Sequence, residues 1–158
     1  MDADDNLKIK TYSELGIDGV LFVINDPEGH RMFYEFCRSE FSIENLLFFD
    51  EARAFQQKFH EMTSNDQIVA AWHIYNKYIS AEAELPLNLS SEICAVIKSR
   101  LEESPDVIED TIFTPAMKSA LMLMSHDTFL RFKFSKEFKA FREKFRRISE
   151  ANAVLSSL

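Results

Sequence analysis

FCRSEFSIENLLFF, residues 36–49, is an aromatic-rich segment with a short polar interruption. The interruption has the residue types of a helix start, because a serine hydroxyl can accept a hydrogen bond from a backbone N–H one turn later. We therefore predict that Ser42 is the N-cap of a helix. We also predict that Phe41, before the cap, packs against Leu46 as a hydrophobic staple.

Four polar residues make up the interruption: Glu40, Ser42, Glu44 and Asn45. One interpretation of them is structural, because serine is a common cap and acidic or polar residues are common in first turns. The other is functional, because a capped first turn presents polar groups to a partner. Spacing alone favours the structural interpretation.

Composition favours a single helical domain. The chain has 158 residues, within the usual size of one domain. Its 3 Gly and 4 Pro are fewer than average, which argues against a glycine-rich phosphate loop and a turn-dense β-sandwich. Its 15 Phe and 46% hydrophobic residues can fill an aromatic core. The predicted class is all-α.

Charge is unevenly distributed along the chain. Residues 1–127 hold 10 Lys and Arg against 23 Asp and Glu, whereas residues 128–158 hold 8 against 3. The acidic body argues against nucleic acid as a partner, because phosphate binding needs a basic face. The basic end fits either a solvated helix face, which we favour, or weak contact with an anionic membrane surface.

The sequence contains no pattern typical of an active site. Cys37 and Cys94 match no zinc spacing and are too few for a disulfide framework, which fits a reduced intracellular compartment. The four histidines have no ligand spacing, and no P-loop, G-x-S-x-G or G-x-G-x-x-G is present. We therefore predict no catalytic group of its own, no cofactor and no metal site.

The polar start, MDADDNLKIK, has no signal-peptide pattern, and no apolar run reaches the roughly 18 residues of a membrane span. We expect a flexible segment at residues 1–12, one domain at residues 13–149 and a tail at residues 150–158. The predicted location is cytoplasmic.

Helix signals recur along the chain and indicate eight or nine short helices. Asp26-Pro27 predicts a cap followed by proline at the first helical position, and Ser64–Gln67 reads as a capping box. Pro86 restricts the residue before it, so Asn88 is expected in a loop, and Pro105 is expected to break the chain. Further starts are predicted at Ser90 or Ser91, Thr114, Asp127-Thr128 and Ser135.

Three separated segments resemble, in order and at about the right spacing, the motifs of the regulator-of-G-protein-signalling (RGS) box. They are SEFSIENLLFF (39–49), Leu87-Asn88-Leu89 and LMLMSHDTFLRF (121–132). The family's motifs are an acid-aromatic-Ser followed by Glu-Asn, a loop Asn between apolar residues, and Leu-Met followed by Asp-Ser-aromatic and Arg-Phe. The resemblance covers residues 13–145.

The resemblance implies an RGS-like fold of about nine helices, with an antiparallel four-helix bundle and a terminal helical subdomain. It implies a GTPase activator for heterotrimeric G-protein α subunits (Gα) that stabilises the switch regions in the transition state. Such a protein needs no catalytic group, because Gα supplies an Arg, a water-orienting Gln, GTP and Mg²⁺. It also implies a monomer acting at the inner face of the membrane.

Two other interpretations stay open. One is an RGS-homology scaffold or effector domain without GTPase-activating activity. The other is an unrelated helical adaptor or membrane-surface domain, prompted by the basic segment 133–147.

Nine residues match the family's Gα-contacting positions: Glu40, Ser42, Glu44, Asn45, Asn88, Leu123, Asp127, Thr128 and Arg131. By the resemblance, Asn88 reaches the switch segments, and its amide can donate and accept at once. Asp127 accepts a backbone N–H there, and Arg131 holds that carboxylate by a charge-assisted bond. A helix cap or an i,i+4 ion pair also explains these two residues.

The sequence departs from the family's usual motifs in several places, and the connection between the first two motifs is a few residues longer. These departures bear on selectivity and potency more than on activity. The substituted positions are Phe49 for Trp, Cys37 for Leu, Ser90 for an acid and Thr128 for Ser.

Overall fold

The structure is a computed structural model that describes residues 16–103 and 107–157. The described residues contain no strand, so the predicted all-α class is confirmed. The described residues form eight α-helices, in line with the predicted eight or nine: α1 Gly16–Ile24, α2 Pro27–Ser39, α3 Glu44–Lys58, α4 Ser64–Tyr78, α5 Ser91–Glu103, α6 Thr114–His126, α7 Thr128–Phe132 and α8 Lys136–Ser156. The expected break at Pro105 and the expected flexible segment 1–12 lie outside the described residues.

The chain forms two compact units. The terminal unit comprises residues up to 42 and from 122 onward, and the central unit comprises residues 43–121. The terminal unit therefore draws on both of these segments of the chain. Within the described residues, no helix is long and apolar enough to cross a membrane.

The central unit is built around aromatic residues of α3. Phe48, Ala52 and Phe55 of α3 are buried, and a 3₁₀ turn, Phe59–Glu61, follows the helix. The ring of Phe113 lies edge-on to Phe48 and Phe55, at centroid distances of 6.2 and 5.5 Å. Edge-to-face pairs of this kind add to the energy of burial.

A second aromatic core fills the terminal unit. Phe33 of α2 contacts Phe129 and Phe132 of α7 at 5.8 and 5.2 Å, and Phe138 of α8 contacts Phe132 at 5.5 Å. α2 also passes close to its neighbours, because a Cβ at Gly29 would lie 2.3 Å from the carbonyl oxygen of Val23. Only glycine fits there without a shift of the backbone.

Local cap signals account for several helix starts. The Asp26 carboxylate accepts from the Gly29 N–H at 2.8 Å, and the Ser135 hydroxyl accepts from the Phe138 N–H at 3.1 Å. Both predicted caps are confirmed. The start of α4 was predicted one residue too late, since Thr63, not Ser64, is its cap.

The prediction that Ser42 caps α3 is wrong. α3 begins at Glu44 with Ile43 before it, and no side chain caps this end. The predicted staple is absent as well, because Phe41 is 95% exposed whereas Leu46 is buried.

Residues 40–42 instead terminate α2. The Ser42 N–H bonds to the Cys37 carbonyl at 3.0 Å, and the Phe41 N–H bonds to the Arg38 carbonyl at 3.2 Å. This is the Schellman pattern, in which the residue after the C-cap takes the left-handed conformation usually reserved for glycine. Phe41 has φ 55°, the only positive φ of a described non-glycine residue. The backbone at Phe41 is therefore strained.

We expect Phe41→Gly to raise the free energy of unfolding by about 1 kcal/mol, because a side chain at positive φ costs about that much. Denaturant unfolding followed by circular dichroism measures the change. The matched control is Phe134→Gly, at an exposed residue without positive φ, which should lower stability by up to about 1 kcal/mol. A loss of stability in both variants would contradict this account of Phe41.

Candidate functional site

The nine sequence-predicted site residues divide between the two units. The central unit holds three of them: Glu44, Asn45 and Asn88. The terminal unit holds the other six: Glu40, Ser42, Leu123, Asp127, Thr128 and Arg131. We describe each group within its own unit.

Arg131 of α7 joins two carboxylates in the terminal unit. Its Nε donates to Glu40 Oε1 at 2.8 Å and its Nη2 donates to Glu40 Oε2 at 2.7 Å, a bidentate pair. Its Nη1 donates to Asp127 Oδ1. Sequence reasoning predicted the Asp127 contact but missed Glu40, which lies 91 residues away in the chain.

Asp127 precedes α7 but does not cap it. Its backbone has φ −130° and ψ −91°, and its side chain makes no cap hydrogen bond. The alternative interpretation of Asp127 as a helix cap is therefore wrong, while the i,i+4 ion pair with Arg131 is present.

The ion pairs shift the pKa values of Asp127 and Arg131. The hydrogen bond from Arg131 holds the pKa of Asp127 below its ordinary value, and the carboxylates of Glu40 and Asp127 raise the pKa of Arg131. Asp127 is 68% exposed and Arg131 50% exposed, so solvent screens these pairs and their effect on stability is small. Their consequence is orientation, because Arg131 fixes both carboxylates.

Ser42 and Thr128 form a second contact in the terminal unit. Their hydroxyl oxygens lie 3.1 Å apart, and the Ser42 hydroxyl also donates to the Cys37 carbonyl at 3.4 Å. Thr128 is buried, so this bond ties the end of α2 to the start of α7. Leu123 is half-buried on α6, and no described hydrogen bond or ion pair joins it to this cluster.

In the central unit, Glu44 and Asn45 occupy the first turn of α3, as predicted, and both are half-buried. Asn45 Oδ1 is buried, and no donor within the described residues reaches it. An unpaired buried acceptor of this kind costs roughly 1–3 kcal/mol. Such groups are rare in native proteins and call for an explanation.

Asn88 lies in the loop between α4 and α5, as predicted, and its side chain is exposed. Leu87 and Leu89 on either side pack against the central core, and the Leu87 N–H bonds to the Tyr78 carbonyl at 2.9 Å. Ser90 then caps α5, accepting from the Ile93 N–H at 3.3 Å. Anchors on both sides therefore hold the Asn88 amide outward.

Sequence reasoning missed a polar network that anchors this same end of α4. Glu51 Oε1 accepts from Tyr78 Oη at 2.7 Å and from Lys77 Nζ at 2.5 Å. Burial and this carboxylate raise the pKa of Tyr78 well above its ordinary value. No local spacing signals the contact, because Glu51 lies on α3 and its partners on α4.

The described residues contain no group of three or more His, Cys, Asp or Glu placed to hold a metal ion. What the site offers is oriented hydrogen-bonding groups: fixed carboxylates in the terminal unit and an outward amide in the central unit. Such groups recognise a partner by donating and accepting hydrogen bonds.

The model of the "Regulator of G protein signaling domain" family matches residues 21–141. The regulator of G-protein signaling loco of Drosophila melanogaster is 29% identical over 119 residues, 75% of this chain and 7% of that protein. Regulator of G-protein signaling 10 of Homo sapiens is 28% identical, over 70% of this chain and 56% of its own length. Regulator of G-protein signaling 20 of Gallus gallus is 32% identical, over 72% and 49%. The chain thus spans between 7% and 56% of these relatives.

We expect Arg131→Gln to raise the pKa of Asp127 toward its ordinary value, because the variant loses the charged donor. A carboxyl NMR titration of Asp127 measures the shift. Since folding lowers this pKa, the pair adds stability above the unfolded-state pKa, and that stability is lost as pH falls through the folded-state value.

The control for this titration is Arg147→Gln, which removes an arginine that pairs with Glu143 on α8. It should leave the Asp127 titration unchanged. The same Asp127 curve in wild type and Arg131→Gln would contradict the assignment.

Proposed function

This chain belongs to the regulator of G protein signaling domain family, and from that premise we propose that it is a GTPase-activating protein for heterotrimeric G-protein α subunits. Membership places the chain among regulators of G-protein signalling. The more specific proposal is that it binds the switch regions of Gα and stabilises them in the transition state for GTP hydrolysis.

The chemistry of the reaction suits a chain without a catalytic group. Gα carries the transition-state arginine and the water-orienting glutamine, and it binds GTP and Mg²⁺. A partner accelerates hydrolysis by holding these groups in their reactive arrangement, which lowers the cost of organising them in the transition state. In this proposal the partner requires shape and hydrogen bonds, not acid–base chemistry.

The observation that carries the proposal is the fixed carboxylate pair around Arg131. Arg131 holds Asp127 by Oδ1 alone, and within the described residues nothing donates to Asp127 Oδ2. That oxygen is thus an oriented acceptor on a 68% exposed side chain. We propose that it accepts a backbone N–H of a Gα switch segment, as expected for its motif position.

The remaining site residues take complementary parts in the proposal. Asn88 donates to and accepts from the switch region beside the water-orienting glutamine, which its exposed and anchored loop position supports. We propose that Asn45, half-buried in the first turn of α3, lines one edge of the contact surface. We propose that the domain does this as a monomer in the cytoplasm, at the inner face of the membrane where Gα resides.

We expect Asn88→Ala to abolish most of the acceleration of GTP hydrolysis by a responsive Gα. A lost hydrogen bond that leaves a buried partner unpaired costs about 1–3 kcal/mol, which corresponds to a rate loss of roughly 5- to 150-fold. Single-turnover hydrolysis of GTP preloaded on Gα measures the effect. Asn76→Ala, at another exposed asparagine of the central unit, should match wild type.

The form of Gα that is bound separates this proposal from a scaffold without GTPase-activating activity. An activator should prefer Gα with GDP and aluminium fluoride, which mimics the transition state, over Gα with GDP or a GTP analogue. Equal binding to the three forms, with no change in hydrolysis across the Gα classes, would overturn the proposal.

A further inference from the structure

Phe134, like Phe41, is an exposed phenylalanine in a terminal unit whose other described phenylalanines are buried or half-buried. It is 80% exposed, at the turn between α7 and α8, and no ring of the described residues stacks on it. Leu130, one helical turn earlier, is 45% exposed. The nearby Phe132 and Phe138 are buried. The core therefore does not use Phe134, and packing within the unit does not explain why a phenylalanine is exposed at this position.

Lysines surround Phe134 in the sequence. Lys133 precedes it, and Lys136 and Lys139 follow at one-turn spacing on the exposed side of α8. Within the described residues, none of the three forms an ion pair with a carboxylate. We call Phe134 with these three lysines the α8 basic patch.

The other end of the basic segment behaves differently. Arg146 pairs with Glu143 and Glu150, and Arg147 pairs with Glu143. Lys144 pairs with Glu28, which raises the pKa of Lys144. The cations after residue 142 are therefore those of an ordinary solvated helix face, whereas the α8 basic patch has no such neutralisation.

The position of the patch on α8 argues against the interpretation that its lysines are there to stabilise the helix. Lys136 and Lys139 lie on either side of the acidic Glu137 in the first turn of the 21-residue α8, and the last turn contains no basic residue. The N-terminal end of a helix carries positive partial charge, so cations there oppose the helix dipole. The two lysines outnumber Glu137 in that turn, and this excess of positive charge is better placed against an anionic partner than at the positive end of the helix dipole.

We propose that the α8 basic patch is a contact surface for an anionic phospholipid bilayer. The ring of Phe134 enters the interfacial layer, as aromatic residues do at membrane surfaces, and the lysines lie against the headgroups. Lysine suits this use, because it acts as a flexible point charge and not as the planar fork that reads one defined anion. Three lysines and one ring give weak, reversible binding.

The α8 basic patch shares no residue with the nine that are proposed to contact Gα. Its effect is to raise the concentration of the domain at the membrane. Because Gα resides there, the higher local concentration favours the encounter of the two proteins. From the sequence, contact with an anionic membrane stayed open as one interpretation of the basic segment. Here that contact is restricted to the α8 basic patch.

Vesicle co-sedimentation of the full chain tests the proposal. We expect binding to vesicles of equimolar phosphatidylcholine and phosphatidylserine, and much less binding to phosphatidylcholine alone. Raising the salt concentration should weaken binding, because ions screen exposed charges. Binding that is equal for both vesicle types, or absent from both, would overturn the proposal.

Two variants test the patch itself. Replacing Lys133, Lys136 and Lys139 by Gln should lower partitioning about a hundredfold, at about fivefold for each lysine. Phe134→Ser should lower it about tenfold, because the apolar ring no longer leaves water. Circular dichroism should show wild-type unfolding for both, since these side chains are exposed or, for Lys133, half-buried.

Matched controls remove the same groups from the central unit. The first control replaces the exposed Lys58, Lys98 and Lys118 by Gln and so removes the same amount of positive charge. The second control, Val107→Ser, removes an apolar side chain that is 72% exposed. Both should bind vesicles as wild type does. An equal loss in the controls, or undiminished binding by Phe134→Ser, would overturn the assignment to this patch.

The vesicle assay contains no Gα, so its outcome does not depend on the proposed GTPase activation. In detergent-free solution, Phe134→Ser should stimulate a soluble Gα as wild type does. Loss of vesicle binding with that stimulation intact supports the proposal, and loss of both together would contradict its independence from the Gα-contacting residues.

Discussion

The contact of Phe132 with Phe33 and Phe36 is the interaction on which the terminal unit depends. It joins the two segments of that unit, which the whole central unit separates in the chain, at centroid distances of 5.2 and 5.4 Å. Closing a loop of that length costs entropy that grows only slowly with loop length, and buried aromatic area can offset it. The same packing holds α7 beside the end of α2. The polar site follows, because Arg131 reaches Glu40 only when these two helix ends are adjacent.

The left-handed backbone at Phe41 is the second constraint on that site. The Schellman hydrogen bonds turn the chain directly after α2, so that Ser42 faces Thr128 and not the first turn of α3. Strain of this kind persists where the surrounding structure fixes it, and it concentrates at functional sites. Here the strain lies between two proposed contact residues, Glu40 and Ser42, and it leaves the ring of Phe41 in solvent.

Local signals predicted the helical class and many helix starts, and their failures have a common cause. Asp26 and Ser135 were identified correctly because each cap bonds three residues along its own chain. Ser42 has the same local pattern, but it belongs to the end of α2 and does not cap α3. That helix end requires a positive φ at Phe41, and phenylalanine rarely adopts a positive φ, so no local pattern signals it. The start of α4 was misplaced by one residue because Thr63 and Ser64 are adjacent hydroxyl residues that can each cap. The bond from Arg131 to Glu40 could not be predicted from spacing, since only the tertiary fold brings them together.

Charge patterning shows why a sequence-level description of a basic segment needs the structure. Counted along the chain, residues 133–147 form one positive run, for which the sequence favours a solvated helix face and leaves a membrane surface as the alternative. The carboxylates divide it. Glu143 and Glu150 lie one helical turn from Arg146, so that part of α8 is neutralised by its own helix. Around Phe134, by contrast, no carboxylate of the described residues forms an ion pair with the lysines, and they outnumber Glu137 at the positive end of the helix dipole beside an exposed ring. Each interpretation therefore holds for its own part of the segment, and the ion pairs of Glu143 and Glu150 mark the part that is a solvated helix face.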